Sequence, residues 1–160
     1  MQNVAVLIRE GKIEQAEAEI GKRQAESSTN PDWHCAQGLL LEAKGLGDEA
    51  ELAYQHALKL DPQHAPATFR LAYYLDIHGR ENEAMKLYEA LAKRTPTYVN
   101  ALLNLAIIYE DIGHHEKAMK CIDRVLAEHP NHTRARIFAK DIDSSMDMFY
   151  DEGQERSRQK

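Results

Sequence analysis

The side chains with obvious chemical potential are eight histidines and two cysteines in a chain of 160 residues. Two histidine pairs stand out, in "GHHEK" (Gly113–Lys117) and in "HPNH" (His129–His132). A pair at either place could supply two ligands to a zinc-like ion, but a stable site needs three or four. The stretch between the pairs reads as a helix of about 13 residues, which holds its ends roughly 20 Å apart. The two pairs therefore cannot share an ion, and solvated loop histidines are expected at both places. His34 and Cys35 are neighbours in sequence. On a helix their side chains diverge by about 100°, so they form no nucleophile–base pair. There is no phosphate-cradling glycine loop, no serine elbow and no CxxC. The expectation is no catalytic residue, no metal site and no cofactor.

What positions these residues is a repeat. "GLGDEAELAYQHALKLDP" (Gly45–Pro62) is nearly restated in "GRENEAMKLYEALAKRTP" (Gly79–Pro96) and "GHHEKAMKCIDRVLAEHP" (Gly113–Pro130). A fainter copy, "GKIEQAEAEIGKRQAESS", begins at Gly11, and successive turn glycines lie 34 residues apart. Periods of this length mean stacked supersecondary units. The units run 1–30 (lacking its first four places), 31–64, 65–98 and 99–132.

Within them, Val4, Gly38, Ala72 and Ala106 recur in register, as do Ala16, Ala50, Ala84 and Ala118. Ile20, Tyr54, Tyr88 and Ile122 form a third column. Glycine permits the left-handed bend that ends a first helix. Small residues let two helices approach, and the large one a turn later fills the space beside them. Proline disfavours helix at the residue before it, so the second helices must stop near Asp61, Thr95 and His129. Neither helix of a unit can bury its apolar stripe alone, whereas stacked antiparallel pairs can.

With these residues in place the chain resembles the tetratricopeptide repeat family. The resemblance covers residues 1–132 and rests on the 34-residue period, "LAYYL" and "LAIIY" in the first helices, Ala-x-x-x-Tyr in the second, and the closing prolines. It implies an all-α, right-handed solenoid of antiparallel helix pairs. Departures occur. The family's tryptophan place holds His34, Thr68 and Leu102, with Trp33 one residue early, and the first unit closes with Ser28 rather than proline. Residues 133–150 read as a capping helix, with Ala135, Phe138, Ala139, Ile142, Met146 and Phe149 on one stripe and Arg136, Lys140, Asp143 and Asp147 elsewhere. That makes 1–150 one repeat domain, with 151–160 a polar, disordered linker or tail.

In tetratricopeptide arrays the stripe of each first helix that faces away from its partner helix lines a concave peptide groove. The resemblance therefore implies a partner-binding surface made of Cys35, Leu39, Glu42, Phe69, Arg70, Tyr73, Asp76, Ile77, Leu103, Asn104, Ile107, Glu110 and Asp111. Its centre is apolar and aromatic and one edge is acidic, which suits a hydrophobic peptide or protein segment with basic flanks. The alternative is that Phe69, Tyr73 and Ile107 merely pack between first helices. The family's carboxylate clamp is incomplete, since only Arg70, or Asn104 in a shifted frame, falls on one of its places.

Residues 131–158, "NHTRARIFAKDIDSSMDMFYDEGQERSR", carry a second resemblance through "RAR", the following "KD", "MDMFYDE" and Gln-Glu-Arg. This segment is similar to the junction in bacterial proteins where such an array precedes a module like the C-terminal domain of the RNA polymerase alpha subunit. It implies a role at the transcription machinery and an N-terminal fragment of a longer protein.

A formal charge of −6 argues against direct nucleic-acid binding and leaves a basic protein partner open. No apolar run is long enough for a membrane span and no basic-then-apolar leader is present. The repeat register places Cys35 and Cys121 two repeats apart, too far to bridge, so free thiols and a cytoplasmic setting are expected. Two functions remain: an interaction scaffold or adaptor, and a self-associating assembly protein, a homodimer, using Val4, Val6, Leu7 and Ile8 of the incomplete first unit.

Overall fold

The repeat takes the form of helix pairs in the computed structural model, which describes the backbone of residues 2–94 and 98–158 and the side chains of residues 4–94 and 98–146. The helices are α1 (Gln2–Arg9), α2 (Ile13–Gly21), α3 (Pro31–Ala43), α4 (Gly47–Leu60), α5 (Ala65–Ile77), α6 (Glu81–Ala92), α7 (Val99–Asp111), α8 (His115–Glu128) and α9 (Thr133–Arg158).

Four glycines end the first helices in the same way. Gly11, Gly45, Gly79 and Gly113 have φ of 74°, 77°, 75° and 76°. At each, the next residue's N–H reaches back five places: Lys12 to Leu7 (2.8 Å), Leu46 to Leu41 (2.9 Å), Arg80 to Leu75 (2.9 Å) and His114 to Tyr109 (2.7 Å). This left-handed closure satisfies carbonyls that a helix end otherwise leaves bare. The other boundary also follows the sequence. α4 and α8 stop at Leu60 and Glu128; Asp61 turns extended before Pro62, and His129 leaves the helical region, with φ −131° and ψ 71°, before Pro130. The expected stop at Thr95 lies outside the described residues.

The chain divides into two compact units, residues 1–87 and 88–160. In the first, α1 and α2 pack together and both meet α3, α3 pairs with α4, and α5 contacts α3 and α4. In the second, α7 pairs with α8, and α8 with α9. All three small-and-large columns of the repeat are buried.

The first repeat departs from the others in a way its sequence explains. α2 has 9 residues against 14 in α4 and α8. It ends at Gly21, a poor helix former, and gives way to a 3₁₀ turn over Gln24–Glu26. Trp33, one place early for the family, compensates. Its indole N–H donates to Ile20 O at 3.2 Å, and its ring joins Val4, Ala16, Ile20, Ala36 and Leu40 in one cluster. Leu7 and Ile8 pack on the same cluster, so of the apolar crowd on α1 only Val6 is exposed.

At the other end, α9 does not give way to an irregular tail after residue 150 but runs on to Arg158. Asp, Glu, Gln and Arg are tolerated there, and Gly153 alone is too weak a breaker to stop a long helix. Its stripe is seated as expected: Ala135 and Ile142 are buried and Phe138, Ala139 and Met146 half-buried, while Arg136, Lys140 and Asp143 are exposed. The side chains of Asp147 and Phe149 lie outside the described residues.

Candidate partner-binding site

His114 and His129 are exposed, as expected, but several of the reactive-looking side chains have structural roles. His115 and His132, expected to be solvated, are half-buried: His115 Nδ1 donates to Glu110 Oε2 at 2.7 Å, and His132 Nδ1 accepts from Ala135 N at 3.2 Å at the start of α9. His64 plays the same capping part for α5, accepting from Ala67 N at 3.2 Å while its Nε2 donates to Asp32 Oδ1 at 3.0 Å. The capping geometry at residues 64 and 132, 68 positions apart, was hidden because histidine is not among the preferred helix caps. His34 bonds Ser27 O at 2.6 Å instead of Cys35. No group of three His, Cys, Asp or Glu that could hold a metal occurs among the described residues. Burial pushes the Cys35 thiol up to about 12 and that of Cys121 to about 11. Both are unpaired with any other cysteine.

In the first unit, the predicted stripe residues on α3 and α5 separate into three kinds. Cys35 is buried and has no surface to offer a ligand. Glu42 is half-buried and accepts from Tyr54 Oη at 2.9 Å; burial raises its pKa above the usual carboxylate value, and the Tyr54 hydrogen bond and the charge of Arg70 offset only part of that. Leu39, Phe69, Arg70 and Asp76 are half-buried. Tyr73 and Ile77 are the open pair, at 42% and 59% exposure on successive turns of α5. Arg70 forms no ion pair with a carboxylate among the described residues, yet it lies near enough to act on Cys35 and Glu42.

In the second unit the stripe on α7 is more sharply built. Leu103 is buried, because its side chain serves packing rather than display. Asn104 donates to Tyr88 Oη at 2.9 Å, so its amide is engaged internally. Ile107, Glu110 and Asp111, however, line a cavity of about 220 Å³ together with Ala106 of the same helix and Phe138, Asp141 and Ile142 of α9. The walls are apolar, and three carboxylates stand among the lining residues. Asp111 and Asp141 are exposed and without an ion pair among the described residues. The α9 residues were legible only as a covering stripe. Nothing in their spacing said that Phe138 and Ile142 stop short of closing against α7.

Residues 35–99 and 77–140 each match a sequence profile described as Tetratricopeptide repeat. Residues 35–140 are tetratricopeptide repeats. The solved structures similar to this chain carry the same solenoid fold. PilF of Pseudomonas aeruginosa superposes with a TM-score of 0.80 at 18% identity, over 93% of this chain and 68% of that one. A tetratricopeptide repeat protein from Parabacteroides merdae gives 0.73 at 18% identity, over 91% of this chain and 59% of its own. This chain thus spans a little over half of that protein. The first tetratricopeptide domain of Spaghetti (RPAP3), bound to the HSP90 peptide SRMEEVD, gives 0.67 at 19% identity over 73% of this chain and 93% of its own. No curated protein sequence matches the chain. Tetratricopeptide repeats are protein-interaction scaffolds, and no helix among the described residues is long and apolar enough to cross a membrane.

Proposed function

We propose that this chain is a non-enzymatic scaffold whose second unit holds an apolar partner segment carrying lysine or arginine beside its anchor. The observation that carries the reading is the α7–α9 cavity. Ala106, Ile107, Phe138 and Ile142 offer an apolar floor, and Asp111 and Asp141 place exposed carboxylates beside it, with Glu110, held by His115, as a third acid of the lining. A lysine or arginine lays its methylene stem on such a floor while its charge meets the acids. An apolar anchor entering the floor supplies the larger share of the energy. The exposed Tyr73 and Ile77 give the first unit a contact surface of its own.

Isothermal titration with a short peptide of alternating leucine and lysine tests the reading. Asp111→Lys with Asp141→Lys is expected to weaken binding at least tenfold with unchanged circular dichroism. Equal binding by the double variant removes the cavity from the reading.

The transcription-linked form of this scaffold rests on the resemblance carried by residues 131–158, a stretch that includes α9. Retention of purified bacterial RNA polymerase on the immobilised chain is its test, and failure to retain it at low salt sets that form aside. Self-association is the weaker alternative, since Val4 is buried and Leu7 and Ile8 pack on the chain's own core.

A further inference from the structure

A second cavity, larger than the first and of opposite charge, lies on the other side of α7. It measures about 410 Å³ and is lined from the end of α6, from α7 and from α8. Ala92, Leu102, Leu105 and Cys121 give it an apolar floor, and all four are buried. Lys93, Lys117, Lys120 and Arg124 stand around it. Glu89 is the single acid of the lining, and its carboxylate accepts from Tyr109 Oη at 2.6 Å.

In the sequence these cations resemble the ordinary solvated dress of a second helix. Their arrangement is not ordinary. All four are exposed, and none forms an ion pair with a carboxylate among the described residues, although the chain as a whole is acidic. Lys117 instead lies over the Tyr109 ring, 5.4 Å from its centroid. Lys120 and Arg124 follow at three and seven positions further along α8, so the row extends for about 10 Å down one face. Like charges held together without partners raise the local potential and attract an anion.

We infer that this α6–α7–α8 cavity is a docking site for an acidic, apolar segment of a partner protein. Charge complementarity decides the occupant. A single carboxylate meets one or two of these cations, whereas a segment with several Asp or Glu around an apolar residue meets the whole row and fills the floor. The two sides of α7 would then select partners of opposite charge: acids around Ile107 for a basic segment, cations around Leu105 for an acidic one.

The test uses the full chain and a fluorescein-labelled peptide of alternating glutamate and leucine, followed by fluorescence anisotropy. Micromolar binding is expected, falling steeply with added salt. Lys120→Glu with Arg124→Glu should weaken it at least tenfold, and Asp111→Lys with Asp141→Lys should not weaken it. That last arm separates this site from the one on the opposite side of α7, so either can fail alone. Circular dichroism reports whether the variants fold, and Lys93→Gln with Lys117→Gln gives a second, milder pair expected to lose threefold or more.

Four binding results overturn the inference, and a fifth comes from light scattering: no binding at millimolar peptide, equal binding after charge reversal, equal binding of a glutamine-for-glutamate peptide, or decanoate binding as tightly as the peptide and displacing it. The last would assign the cavity to an acyl anion. A dimer in light scattering that Lys120→Glu with Arg124→Glu dissociates would assign it to a second copy of the chain.

Discussion

The ring of Tyr54 occupies the space that a β-carbon on Gly38 would fill. A methyl built there would sit closer to Tyr54 Cε1 than any relaxed packing allows, and 2.8 Å from Cδ1 and Cζ. The same tyrosine reaches on to Glu42, one turn further along α3. The repeat places alanine at the matching positions 72 and 106, whereas at 38 the ring leaves no room for a methyl.

Gly38→Ala should therefore destabilise the chain by about 1–3 kcal/mol through overpacking, measured by urea denaturation. Combining it with Tyr54→Leu should cost less than the two changes summed, since the shorter side chain vacates the space. Additive costs would show that the contact is not the cause. Gly45→Ala is expected to destabilise as well, by about 1 kcal/mol, for a different reason: its φ is 77° and no atom crowds it.

Glu42→Gln should raise the melting temperature at pH 7. Burial holds the Glu42 carboxyl above its ordinary value of 4.5, so the fold favours the protonated form. That contribution is fully present below 4.5, where the group is neutral in both states, and is lost as pH rises through the folded value. Glutamine stays neutral and can still accept from Tyr54. The advantage of the variant should shrink as pH falls to 4, and an advantage independent of pH would contradict the burial effect.

Cys35 and Cys121 should resist alkylation in the folded chain. With the thiols pushed up to about 12 and 11, the thiolate fraction at pH 8 is on the order of 10⁻⁴ and 10⁻³. Iodoacetamide labelling followed by mass spectrometry should be slow at both, and fast once guanidinium unfolds the chain. Rapid native labelling of Cys35 would mean that its place on the α3 stripe opens to solvent.

His64→Ala should cost about 1–2 kcal/mol by removing the cap from α5 and the bond to Asp32 together. His64→Asn keeps a capping acceptor and should recover part of the loss. If both variants unfold alike, the bond to Asp32, and not the cap, is what matters.

Tyr73→Ala is expected to weaken partner binding by roughly 1–3 kcal/mol while leaving helicity intact, because the ring is 42% exposed and a truncated surface aromatic leaves no cavity. Lost helicity by circular dichroism would move Tyr73 into the core.

The register of the repeat was legible from local requirements alone. A 34-residue period, glycine at four bends, alanine at four crossings and proline after α4 and α8 are local or pairwise requirements, and each reappears at its own number. Glycine at φ near 75° and an extended residue before proline are decided by sterics within a few bonds. Packing between helices decides which polar and apolar groups on them are already used. Asn104 is taken by Tyr88, Glu110 by His115 and Glu42 by Tyr54, each a contact between residues whose pairing no spacing announces. The two cavities beside α7 belong to the same class. Whether Phe138 closes against Ile107, or Leu105 stays open between four cations, depends on how far neighbouring helices stand apart, and that distance is set by every side chain between them.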